Sequence, residues 1–150
     1  MTKSDLSAQI RAVIEARATA IRNKDLTRAL AVYTSDVVNF DLPPPLRFVG
    51  AAALDPKGLG GWFDTWLGPI GLDLRDFQIF GEGDVALAHG LVRIHGKRTG
   101  SEVTGKDTDV WVRQTLGFRR VAGAWKIAHE HTSVPFYMDG SVRAAVDLKP

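Results

Sequence analysis

The chain has 150 residues, enough for one domain with a full hydrophobic core and too few for two comfortable ones. Its 19 Lys and Arg nearly balance 17 Asp and Glu for a formal charge of +2, and the charges are interspersed, so there is no basic stripe of the kind nucleic-acid binders carry. The absence of cysteine excludes disulfides, thiolate catalysis and cysteine-ligated zinc, and no apolar run approaches the ~18 residues of a membrane span.

The start, from Met1 to Asp5, leads into an amphipathic stretch and not into an apolar leader, so a soluble cytoplasmic protein is expected. Leu6, Ile10, Val13, Ile14, Ala18 and Ile21 recur at helical spacing and predict a long first helix with Ser4 as its cap. Asn23 and Lys24 break it, and Asp25 caps a short second helix that buries Leu26, Ala29, Leu30 and Tyr33. A strand is expected over 36–42. The prolines at 43–45 then turn the chain before 46–50. A third helical region, 51–67, is interrupted by Pro56 and the glycines at 58, 60 and 61, and its last part places Trp62, Phe63 and Trp66 on one side. Strand-like segments follow near 70–81, 84–98, 107–121 and 125–136, with breaks at Gly81 to Asp84, at Gly100 and at Ala122-Gly123. Helices first and antiparallel strands after them argue for an α+β fold, with the helices on one face of a curved sheet. A single domain over 1–136 is expected, and weak patterning predicts a loosely ordered tail over 137–150.

The segment Trp125-Lys126-Ile127-Ala128-His129-Glu130-His131-Thr132-Ser133 holds the densest chemistry. Strand alternation sends Trp125, Ile127, His129, His131 and Ser133 to one face, which would run from apolar to titratable as the wall of a pocket does. Register decides what joins them. A three-residue turn over 121–123 sets Arg113 opposite His131 and Trp111 opposite Ser133, which brings Trp111, Arg113 and Thr115 to the pocket. It leaves Val110, Val112, Leu116 and Phe118 as an outer apolar stripe suited to a dimer partner. A two-residue turn at Ala122-Gly123 would instead put Val112 and Gln114 on the pocket face. The first register is preferred.

The start with its three helices resembles the nuclear transport factor 2-like superfamily, in particular its SnoaL-like and ketosteroid isomerase-related members. So do Val37 to Asp41 followed by prolines and Gly50, and Trp111 to Thr115 ahead of Gly123 to Ser133. The resemblance implies a cone-shaped α+β barrel with helices closing over a bent sheet, an apolar pocket at the open end, and a homodimer through the outer sheet face. It also places Asp41 roughly where ketosteroid isomerases hold a general-base carboxylate. Relatives of this kind include isomerases, cyclases, dehydratases and non-catalytic binding proteins, so fold alone does not choose the reaction.

The expected catalytic residues are Asp41, His129, His131 and Arg113, with Asp41 or His129 moving a proton and Arg113 or His131 stabilising oxyanion charge. The expected ligand contacts are Tyr33, Trp62, Trp66, His89, Trp111 and Ser133. The ordinary alternatives are hydrogen-bonded structural histidines, aromatic core, and an internal salt bridge of Arg113 to Asp41, Asp109 or Glu130. Two strand histidines alone do not make a metal site without a third ligand such as His89 or Asp41, and no metal or cofactor is expected. The ligand is expected to be a small, mostly apolar, carbonyl-bearing molecule, changed by isomerisation, cyclisation or dehydration. The competing reading is a non-catalytic ligand-binding or dimerisation module of the same fold.

Overall fold

A computed structural model describes residues 2–99 and 107–150; the break read at Gly100 lies outside them. The first helix, α1 (Lys3–Arg22), begins one residue before the expected cap. Thr2 Oγ1 accepts from the backbone N–H of Asp5 at 3.1 Å, and the Asp5 carboxylate accepts from the N–H of Thr2, so the reciprocal pair spaced by three outcompetes Ser4. Leu6, Ile10, Ile14, Ala18 and Ile21 form its buried stripe. The short α2 (Leu26–Ala31) is capped by Asp25 as expected, with its carboxylate accepting from the N–H of Arg28 at 3.0 Å. Tyr33 lies beyond it, at the head of strand β1 (Tyr33–Phe40), and not on the helix. After the two-residue strand β2 (Phe48–Val49) and a 3-10 turn, Pro56 starts α3 (Pro56–Asp64) where a missing N–H costs nothing.

Four long strands complete the chain: β3 (Trp66–Glu82), β4 (Val85–Arg98), β5 (Asp107–Val121) and β6 (Ala124–Ser133). Together they form one six-stranded sheet in the order β2-β1-β6-β5-β4-β3, antiparallel except for the parallel pair β1 and β6. The sheet curls around α1 without closing, since β2 and β3 remain its two edges. Ile70, Leu72, Ala88, Val92, Val112, Leu116, Phe118, Trp125 and Ile127 pack inward against Ile10, Ile14 and Ala18 of α1 as one core. Curvature needs close approach at Gly90, where a Cβ would stand 2.4 Å from the Phe77 ring.

Two local features overturn the expected register. Val121 pairs with Ala124, so the hairpin turn has two residues, Ala122 at φ 49° and Gly123 at φ 82°, both left-handed as a type I′ turn requires. Val112, Leu116 and Phe118 are therefore core, 1%, 0% and 2% exposed, and are not an outer stripe for a partner. Further along, Phe118 pairs with Ile127 while Gly117 pairs with His129, which leaves Ala128 as the extra residue of a β-bulge. The bulge reverses the alternation of β6. Trp125 and Ile127 face the core before it and Glu130 and Thr132 after it, while His129, His131 and Ser133 turn to the outer face.

Residues 137–150, weakly patterned in sequence, return on themselves. Phe136 bridges Ala144, Ala145 is buried, the Tyr137 hydroxyl donates to Asp147 at 2.5 Å, and Lys149 reaches Asp109 of β5. Among the described residues, no helix is long and apolar enough to cross a membrane.

Candidate functional site

The polar groups of the concave face converge on Glu130. Its side chain is 5% exposed and meets the Arg17 guanidinium of α1 at 2.5 Å. The Tyr33 hydroxyl donates to its second oxygen at 2.5 Å, Arg17 Nε donates to that hydroxyl at 2.6 Å, and Gln114 Nε2 donates to Glu130 Oε1 at 3.1 Å. Each member comes from a different element. Arg17 sits on the apolar stripe of α1, Tyr33 opens β1, Gln114 points inward from β5 because of the two-residue turn, and Glu130 points inward from β6 because of the bulge. Burial pushes the Tyr33 phenol up, with the Glu130 carboxylate adding to the effect against the opposing pull of Arg17, so Tyr33 keeps its proton. Burial works against the Arg17 charge, but Glu130 and Tyr33 outweigh it and hold the guanidinium above its ordinary value.

Two amide oxygens on this face, Gln114 Oε1 and Asn39 Oδ1, are buried and have no hydrogen-bond partner among the described residues. Asn39 pairs with Glu130 across the parallel β1 and β6 ladder and so shares its face. Asp41, two residues on, follows the same alternation to the exposed rim, where its carboxylate accepts from the N–H of Leu42 and still raises the Arg17 value through space. Trp62 and Trp66 meet edge to face at 5.7 Å, with Trp66 3% exposed.

The other expected site residues lie on the opposite, convex face. His129 and His131 flank Phe40 with ring centroids 4.8 and 5.5 Å away, and His129 Nδ1 is 2.8 Å from the Val38 carbonyl oxygen. Arg113 pairs with Ser133, not His131, and its Nε donates to Ser133 Oγ at 3.2 Å. The Arg75 guanidinium lies over Trp111 at 5.8 Å, and His89 stacks on Phe80. The structure thus brings Tyr33 together with Arg17, Gln114 and Glu130, leaves Asp41 on the exposed rim within electrostatic reach of Arg17, and separates all of these from the histidines, Arg113, Trp111 and Ser133. Among the described residues no three His, Asp or Glu side chains converge on a metal position. Sequence reasoning missed Arg17, Gln114 and Glu130 as site residues. For Arg17 a signal existed, because Ile10, Ile14, Arg17 and Ile21 share one helical stripe.

A SnoaL-like domain family model matches residues 10–137. No curated protein matches the chain significantly. Among solved structures, an NTF2-like protein of unknown function from Pseudomonas putida KT2440 is 32% identical over 100% of both chains, with a TM-score of 0.84. A ketosteroid isomerase-like protein from Erwinia carotovora atroseptica SCRI1043 is 24% identical over 84% of this chain and 93% of its own, with a TM-score of 0.68. A candidate dehydratase of the NTF2-like family from Streptomyces avermitilis is 19% identical over 88% of this chain and 97% of its own, with a TM-score of 0.75. The last two likenesses are of fold. The chain belongs to the SnoaL-like family within the nuclear transport factor 2-like superfamily.

Proposed function

We propose that the concave face binds a small, mostly apolar carbonyl compound and performs cofactor-free acid–base chemistry on it. The observation that carries this reading is the buried chain of Arg17, Tyr33, Glu130 and Gln114, which ends in the Gln114 amide oxygen, unpartnered among the described residues, with the like oxygen of Asn39 on the same face. A buried polar atom without a partner is costly, and a ligand hydroxyl donating to Gln114 Oε1 or Asn39 Oδ1 would remove that cost. The oxygens of Glu130 are occupied by donors from three residues, so its role is to position Tyr33 and Arg17. Proton removal falls to Asp41 at the rim, whose carboxylate is exposed. The electron pair released from the α-carbon moves to the carbonyl oxygen, which Tyr33 stabilises by turning its one O–H from Glu130 to that oxygen while Arg17 keeps donating to the hydroxyl.

The test is exchange of α-hydrogens into deuterated water from cyclic ketones and cyclic β-hydroxyketones, followed by NMR. Wild-type protein should accelerate exchange, and Asp41→Asn and Tyr33→Phe should each lower the rate by about a hundredfold or more. Thermal stabilisation by these compounds with no exchange would instead establish the non-catalytic binding module.

A further inference from the structure

Beyond the Glu130 network, the concave face ends in a corner where β3 and β4 pair through Trp66 and Arg98. The Arg98 guanidinium lies 4.5 Å over the Trp66 ring, and its Nε is buried with no hydrogen-bond partner among the described residues. The indole Nε1 of Trp66, a residue 3% exposed, is also buried and unpartnered. Lys24 Nζ donates to the Trp66 backbone oxygen at 2.8 Å and adds a second cation. Among the described residues no carboxylate forms an ion pair with Arg98, and burial pulls its guanidinium below the ordinary value with nothing to counter it. Among the described residues, two hidden N–H donors, Arg98 Nε and Trp66 Nε1, therefore lack an acceptor beside the edge-to-face indole pair of Trp62 and Trp66.

The chemistry that fits is a planar anion with an attached ring. A carboxylate accepts from both N–H groups and offsets the desolvated charge, while the indoles contact the ring. Arg17 stands five residues before the last residue of α1, and Lys24 follows just beyond it, so the helical rise puts roughly 7–8 Å between Arg17 and the helix end. One small ring molecule spans that length. We propose that the corner formed by Arg98, Trp66 and Trp62 binds a carboxylate borne by the ligand, and that the ligand class is a small aryl or alicyclic carboxylic acid. The proposal rests on the concave face being a ligand site, and it does not depend on catalysis there.

Binding of 2-naphthoate and of uncharged 2-naphthamide, measured by isothermal titration to the full chain, provides the test. The acid should bind at least about tenfold more tightly than the amide and should weaken with added salt. Arg98→Gln should remove that preference, Trp66→Phe should reduce it, and Arg119→Gln on the outer face should leave it unchanged. Equal affinity for acid and amide, no binding of the acid, or an unaltered preference in R98Q overturns the proposal. If R98Q does not fold, the comparison of acid with amide on wild-type protein and on W66F decides. Acid-selective binding that persists in D41N, without proton exchange in wild type, would sustain this site and sink the catalytic reading alone.

Discussion

Arg17 and Glu130 face each other at 2.5 Å with side chains 13% and 5% exposed, and they set the energetic terms of the concave face. Taking both charges out of water is expensive, and their attraction repays this only while both are present. Arg17→Met should destabilise the protein by about 3–5 kcal/mol in urea unfolding, because it leaves the carboxylate buried and unpaired. The double replacement Arg17→Met with Glu130→Leu should recover most of that loss. Simple addition of the two single losses would show that the pair is not coupled. The spacing of Arg17 among Ile10, Ile14 and Ile21 is a signal in the chain, but a charge on that stripe becomes a buried one only where a partner such as Glu130 meets it. Glu130 carries no such mark, since it stands between two histidines that look like better candidates for chemistry.

At the level of elements, the β5–β6 hairpin decides which of those residues enter the site. Its turn and its bulge each amount to a single residue of count, and a slip of one residue sends every side chain beyond it to the other face. The three-residue turn would have buried Trp111 and Arg113; the two-residue turn buries Val112 and Gln114. Alternation placed His129 and His131 in the pocket, and the extra residue Ala128 removes them from it. Ala122 holds a left-handed φ of 49° that an alanine adopts only at a cost of about 1–2 kcal/mol. Ala122→Asn or Ala122→Gly should therefore raise the thermal midpoint, by roughly 1 kcal/mol of added stability, without altering ligand binding. A fall in the midpoint would mean that the turn is not of the type described.

For the molecule as a whole, exposed carboxylates tie stability to pH in one direction. The Arg93 hydrogen bonds hold Asp109 below the ordinary 3.8, and Arg119 does the same for Asp36. A depressed folded value means that the unfolded chain binds more protons, so the stabilisation is complete above the ordinary aspartate value and is lost as pH falls through the folded values. The thermal midpoint should fall between about pH 5 and pH 3, and less steeply in Asp109→Asn; equal slopes in calorimetry would contradict this. The chain by itself determined the α+β class, the family, the amphipathic first helix, the Asp25 cap and the approximate course of the long strands. These follow from periodicity, turn residues and local hydrogen bonds, which act over a few neighbours. Only the tertiary structure decided the inward set of the site, because Arg17, Tyr33, Gln114 and Glu130 are far apart in sequence and their facing depends on one bulged residue and one turn. Packing a whole curved sheet against α1 selects that register, and no local preference of β6 encodes it.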